Sequence, residues 1–266
     1  MSALSSVRAL DSVVREIARE VTMPRYLKSV RSSKADGSTL TEADELTQNA
    51  LAERLPEVRN APVLGEEMSA AQQAEVWEAG SEGLWVIDPV DGTTNFANGI
   101  PIFGLSVAYL VDGVTQFGVV YNPIADESFY AQRGAGAWLN GIRLPQRRSA
   151  ARLAESVAGA DLKRLPPELA SNLAIRPPCY SLRNFGSSAL EWCYVAAGRL
   201  DVYLHGGQAL WDFAAGRLLI EESGGIATDL SGKPVKPDPL TKHAVAVAAT
   251  PALHAEWLAW LTQATA

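Results

Sequence analysis

Two apolar, β-prone runs at residues 105–111 and 114–121 are separated only by Asp112 and Gly113. A two-residue Asp-Gly link between such runs predicts a type I′ hairpin, whose two central positions both need positive φ. The middle of the chain is thereby committed to an antiparallel sheet. Further strands are expected near 61–64, 84–87, 128–131 and 137–139. Upstream, Val7, Leu10, Val14, Ile17 and Val21 recur at three- and four-residue steps, which predicts an amphipathic helix over 4–22 with Pro24 marking its end. Thr41 is placed to cap a second helix running to about Leu55, before Pro56. The stretch 31–38 reads as a loop, and the Glu/Gln-rich stretch before residue 84 as a polar connection.

The Arg/Pro/Ser-rich segment 143–149 is a candidate boundary. Beyond it, strands near 156–160 and 199–204 alternate with helices near 187–197 and 212–222, and a terminal helix covers 251–261. That alternation suggests an α/β half. The expected fold class is therefore mixed α+β and α/β in two subdomains, 1–146 and 147–266.

Charge narrows the function classes. Lys and Arg total 23 against 30 Asp and Glu, a net charge of −7. A nucleic-acid binder would normally show a basic footprint, so no nucleic-acid partner is expected. The N-terminus carries Arg8 and Asp11 and has no apolar core of a signal peptide. The longest apolar stretch, 100–111, falls well short of the ~20 residues of a spanning helix. Cys179 and Cys193 are too few for a disulfide framework. A cytoplasmic protein with no membrane partner is expected.

Carboxylates cluster where strands end. Glu66 and Glu67 follow the strand at 61–64, and Asp88 and Asp91 follow the strand at 84–87. Strand ends are where α/β proteins bind ligands. Pro89 holds the backbone between the two aspartates extended and then turned, so both carboxylates and the Val90 carbonyl can be aimed at one small volume. An all-oxygen set of this kind suits a hard cation such as Mg2+ rather than Zn2+. Gly92 and Thr93 then open a short helix whose N–H groups can hold a phosphate. Each piece has a plainer structural reading. The Asp-Pro-Val-Asp string is also a turn sequence, Thr93 and Asp212 are also helix caps, and Asp44 also completes a capping box with Thr41.

Taken together, Glu66 and Glu67, the string from Trp85 to Phe96, and the string from Trp211 to Gly216 resemble the inositol monophosphatase family. The runs 118–123, 136–141 and 186–190 add to the likeness, which spans residues 4 to 250. The resemblance implies a layered α-β-α-β-α sandwich of the sugar-phosphatase type. It also implies Mg2+-dependent, lithium-sensitive hydrolysis of a small phosphorylated substrate, and a homodimer. By the family pattern Glu66, Asp88 and the Val90 carbonyl hold a first Mg2+, and Asp88, Asp91 and Asp212 a second. Asp44 with Glu66 and Thr93 positions a third ion and the attacking water. Two to three Mg2+ ions are expected, and three would bring the formal charge of the five acids from −5 to +1, so that the loaded site accepts a phosphate dianion.

The substrate-binding residues implied are Asp91, Gly92, Thr93, Arg183, Gly186, Ser187, Ser188, His205 and Asp212. Ser187 and Ser188 have helix capping as their alternative reading, and Arg183 a surface salt bridge. The inositol-specific branch has a Glu seven residues before the Trp-Asp aspartate. Here that position is His205, whose plainer reading is a partly exposed loop histidine. Inositol-1-phosphate or a similar polyol monophosphate is the expected substrate. Histidinol phosphate, a sugar phosphate or a 3′,5′-bisphosphate nucleotide is the alternative; the loop 34–38 leading to Thr41 resembles the histidinol-phosphate and nucleotide-bisphosphate branches. A non-catalytic interaction protein retaining the fold is the reading from another class.

Overall fold

The computed structural model describes residues 4–264 except 29–31 and 34–38. Five layers stack in the order helix, sheet, helix, sheet, helix. The N-terminal half contributes α1 (Ser5–Ile17), the two-residue strands β1 (Ser32–Ser33) and β2 (Thr39–Leu40), and α2 (Glu42–Val58). It continues with β3 (Val63–Gly65), α3 (Ala70–Ala79), β4 (Leu84–Asp91), the single turn α4 (Thr93–Ala97), β5 (Gly104–Val111) and β6 (Val114–Asn122). Strands β7 (Glu127–Gln132), β8 (Gly136–Leu139) and β9 (Ile142–Arg143) complete it. The C-terminal half holds β10 (Val157–Ala160), α5 (Pro167–Ile175), β11 (Ser181–Arg183), α6 (Ser188–Ala196) and β12 (Val202–Gln208). Helix α7 (Leu210–Ser223), β13 (Ile226–Thr228), β14 (His243–Ala248) and α8 (Pro251–Ala264) follow.

Strands β3 to β9 form a seven-stranded sheet in chain order, antiparallel except for the β3–β4 pair. The β5–β6 hairpin turns at Asp112 (φ 48°) and Gly113 (φ 71°), the positive pair a type I′ turn needs. The second sheet has the order β11-β10-β12-β14-β13, with β10 parallel to both neighbours.

Strand periodicity explains the layering. In β4, Trp85 and Ile87 face one way, onto Val7, Leu10, Val14 and Ile17 of α1 and Leu51 and Leu55 of α2. Leu84 and Val86 face the other way, onto Trp192 of α6 and Phe213 and Leu218 of α7. The strand is buried along its whole length, as a strand covered on both faces must be. Tyr203 and Val245 close the middle layer from the second sheet, while Val202 and Leu204 point outward onto Trp257 of α8 and Leu173 of α5.

Several sequence expectations shift. Helix α1 ends at Ile17, and a π-turn over Ala18–Thr22 and a 3-10 turn over Met23–Arg25 carry the chain through Pro24. Pro56 lies inside α2 rather than beyond it. Proline forfeits one backbone bond, and the buried Leu51 and Leu55 hold the turn in place. Part of the expected loop at 31–38 is instead strand β1, paired with β2; the rest lies outside the described residues. The polar connection before β4 contains α3, capped reciprocally by Ser69 and Gln72.

The middle helical layer joins both sheets and should dominate stability. Leu218→Ala, at a fully buried position, is expected to cost about 2–5 kcal/mol in urea unfolding. Val114→Ala, 45% exposed, should stay within about 0.5 kcal/mol. Equal losses would contradict this layering.

Candidate active site

Four elements bring acids to one point. The parallel β3–β4 pairing sets Gly65 beside Ile87, so Glu66 begins next to Asp88, and the Glu66 N–H donates to the Ile87 carbonyl (3.3 Å). Asp88 and Asp91 do not follow the strand in a turn, as expected; both lie within β4. The register with β5 slips between them, from Asp88 opposite Ser106 to Asp91 opposite Gly104. That bulge breaks the alternation that would separate the side chains. Ser106 Oγ donates to the Trp211 carbonyl (3.2 Å), tying the start of α7 to the sheet and delivering Asp212.

Carboxylate oxygens of Asp88, Asp91 and Asp212 all lie within 4.8 Å of one another. Burial, foremost, pushes all three pKa values up, and mutual repulsion with Glu66 adds to it. Such a cluster is costly without a cation. Every donor in it is oxygen, so the set fits a hard divalent ion of the Mg2+ type.

Thr93 Oγ1 lies 3.0 Å from the Val90 carbonyl and 3.1 Å from Asp44 Oδ1, and its proton is shared between these acceptors. The other Asp44 oxygen, Oδ2, accepts from the Thr41 N–H (2.8 Å) and hydroxyl (2.7 Å). Asp44 thus completes a capping box with Thr41, the α2 cap, and faces the site at once. Burial raises its pKa despite these hydrogen bonds. Gly92 (φ 91°) takes the N-cap of α4 in the left-handed region, so Thr93 is the first helical residue rather than the cap.

Asp91 also reaches the other half of the molecule. Its carboxylate accepts from the Ala189 N–H (2.8 Å), the Ser188 N–H and hydroxyl (3.2 Å each) and the Ser187 hydroxyl. Neither serine hydroxyl caps α6; a carboxylate from the opposite sheet does so, matching the positive end of the helix. Asp212 likewise is not the α7 cap. It sits in the first turn and accepts the N–H of Ala209, which holds the cap position (2.8 Å).

A cleft of about 610 Å3 opens here, lined by Glu66, Asp91, Gly92, Thr93, Gly186, Ser187, Ser188, His205 and Asp212. Asp44, Asp88 and Val90 lie behind this lining. Arg183 is not part of it: the side chain is exposed, and Nη1 donates to Ser181 Oγ (2.6 Å) and the Leu182 carbonyl (2.8 Å). It ends a strand at the edge of the second sheet, which keeps it outside.

His205 is not a partly exposed loop residue. It lies in β12, 8% exposed, because it shares a strand face with the buried Tyr203. The Gly207 N–H donates to its Nδ1 (3.1 Å), leaving the proton on Nε2, 3.8 Å from Asp161 Oδ2. Burial, above all, lowers its pKa to about 4; Asp161 opposes this, while Arg164, Lys163 and Lys242 add to it. The cleft also includes Asp161, Lys163, Arg164, Glu191 and Lys242, which the sequence reading missed. Asp161, Lys163 and Arg164 follow directly after β10, so the strand-end argument that found Glu66 applied to them too. Glu191 is buried in α6, its carboxyl pushed up to about 8 by burial.

A model of the inositol monophosphatase family matches residues 4–266. The chain belongs to that family. The inositol-1-monophosphatase of Mesorhizobium japonicum is 36% identical over 234 residues, 85% of this chain and 84% of that protein. The Nus factor SuhB of Pasteurella multocida is 37% identical over 204 residues, 75% of this chain and 74% of that protein. Among solved structures, an IMPase from Thermotoga maritima superposes with a TM-score of 0.83 at 28% identity, covering 97% of each chain. Membership makes this chain a phosphoric monoester hydrolase with the layered fold of the family.

A histidine depressed below its unfolded value stabilises the fold above pH ~6.5, and that contribution is lost as pH falls towards about 4. An NMR titration of His205 should give a midpoint near 4, and His205→Gln should flatten the loss of stability over that window. A midpoint near 6.5 would contradict the burial.

Proposed function

We propose that this chain hydrolyses a small phosphomonoester by direct attack of water, with two to three Mg2+ ions held by Glu66, Asp88, the Val90 carbonyl, Asp91 and Asp212. The all-oxygen carboxylate cluster beside the Thr93–Asp44 pair carries this reading. When bound, Mg2+ supplies Lewis-acid chemistry, neutralising phosphate charge and acidifying water. The chain's own groups do the remaining work. The Thr93 hydroxyl orients the attacking water and relays its proton to Asp44, whose pKa burial raises above that of an ordinary carboxylate, making it the stronger proton acceptor. The N–H groups of Gly92 and Thr93 hold the phosphate, with Asp91 and Asp212 beside it. Water is the nucleophile, so no phosphoenzyme forms.

Gly186, Ser187, Ser188 and His205 border the leaving group. A neutral imidazole with Nδ1 already occupied presents one N–H donor, where a carboxylate would present paired acceptors. Inositol-1-phosphate or a similar polyol monophosphate is the first substrate to test. Histidinol phosphate, a sugar phosphate and a 3′,5′-bisphosphate nucleotide are the alternatives within the same chemistry. We further propose two subdomains, 1–146 and 147–266, divided at the Arg/Pro/Ser-rich segment 143–149, and a cytoplasmic location from the composition; on the family resemblance we add a homodimer and inhibition by lithium. Arg183 has no place in this reading. The second reading, a non-catalytic interaction protein, has its support in the name Nus factor borne by the Pasteurella relative.

Phosphate release from those four substrate types at millimolar Mg2+ tests the proposal. At least one should be turned over, and Thr93→Ala should lower its kcat about 10²–10⁴-fold with little change in KM. Release that persists undiminished in Asp91→Asn contradicts the mechanism. No release from any substrate favours the interaction protein.

A further inference from the structure

The string 88–95 ends on a residue that the chemistry above leaves unused. Asn95 lies in α4, two positions after Thr93, 8% exposed and in the lining of the cleft. Its Nδ2 donates to the Ile102 carbonyl and to the Phe185 carbonyl, at 2.7 Å each. Both partners are acceptors only, so the orientation of the carboxamide is set by its chemistry, and both of its N–H bonds are used. Asn95 has no donor left for a substrate. It acts through the backbone it holds.

That backbone comes from both halves of the chain. Ile102 leads into β5, whereas Phe185 begins the loop that borders the leaving group. The two meet around Gly92: a Cβ added there would fall 3.1 Å from the Ile102 carbonyl, 3.2 Å from the Gly186 carbonyl and 3.2 Å from Ser187 Cβ. The N-cap of the phosphate-holding turn is thus in direct contact with the leaving-group loop. From the other side, a Cβ on Gly186 would fall 3.2 Å from Asn95 Nδ2. Phe185 is held through both of its backbone groups, because its N–H donates to Glu191 Oε1 (3.3 Å). Its ring meets Tyr194 of α6 edge-on at 5.5 Å. Asp91 ties down Ser187, Ser188 and Ala189, but the tie at Phe185 uses no carboxylate of the cluster. A single helical turn has little stability of its own. The position of α4 therefore depends on what holds it from outside, with Thr93 bonded to Asp44 and Asn95 bonded to Phe185.

We propose that Asn95 is a positioning residue for the hydrolysis, which sets the Thr93-oriented water against the leaving group by joining the phosphate-holding turn to the loop 185–188. The inference rests on the phosphomonoesterase reading and adds a residue to it. In-line displacement needs the attacking and departing oxygens on one axis through phosphorus. Thr93 serves one side of that axis and the loop serves the other. An alkoxide depends on this placement more than a nitrophenolate, which departs readily without help.

The test compares a polyol monophosphate with 4-nitrophenyl phosphate, in millimolar Mg2+, for the intact enzyme, Asn95→Ala and the isosteric Asn95→Asp. Asn95→Ala should lower kcat on the polyol ester about 10–100-fold with KM little changed, and the loss on 4-nitrophenyl phosphate should be at least about fivefold smaller. Asn95→Asp keeps the volume but turns an acceptor towards two carbonyls, and it should show the same split. Hydrogen exchange gives a readout independent of turnover: in both variants the amides of 185–189 should exchange faster together with those of 93–98. If the intact enzyme hydrolyses neither ester but exchange rises in both segments, the hydrolase reading fails and the coupling of the two segments stands. Equal losses on the two esters, unchanged exchange in 185–189, or loss of cooperative thermal unfolding in both variants would make Asn95 a structural support and overturn the proposal.

Discussion

Mutual repulsion among buried carboxylates is the constraint around which this fold is built. Asp88 and Asp91 are almost fully enclosed, and with Asp212 they approach within 4.8 Å. Removing such charges from water costs several kcal/mol each unless a counter-charge is supplied. A chain that folds with this cluster intact has offset that cost elsewhere. The two broad cores on either side of β4 supply the stabilisation.

The same aspartates hold the architecture together. Asp91 belongs to the seven-stranded sheet, yet it accepts the free N–H groups at the start of α6, which packs against the second sheet. Asp212 accepts an N–H at the start of α7, whose first turn is tied to β5 through Ser106. Two helix starts thus deliver partial positive charge to the cluster. Asp44 repeats the arrangement at the start of α2 and passes its second oxygen to Thr93. Capping and chemistry are divided between the two oxygens of one carboxylate, which is why the plain and the functional readings of Asp44 do not compete.

Local signals made much of this legible. The Asp112-Gly113 turn, the apolar stripe of α1 and the acids at strand ends are encoded within a few residues of where they act. The motif likeness extended that to the layered fold. What stayed hidden depends on distant parts of the chain. His205 looked like a loop residue, because Gly206 and Gly207 disguise a strand whose bulge and burial come from pairing with β14. The serines looked like caps or substrate contacts, because nothing nearby shows a carboxylate arriving from 96 residues away. Arg183 was placed by motif spacing, whereas the edge position of β11 decides where it points. Lys242 joins Lys163 and Arg164 in the lining of one cleft only through tertiary structure.

The central claim is that these carboxylates are strained by burial first and by one another second, and relieved by a hard cation. Protons released on Mg2+ binding measure this most directly, because acids with raised pKa values must ionise fully to bind. Titrating Mg2+ into the metal-free protein near pH 6, in buffers of differing ionisation enthalpy, should show saturable binding with net proton release that fades as the pH is raised. Binding without proton release, or binding undiminished when Asp88 and Asp212 are both replaced by Asn, would contradict the account.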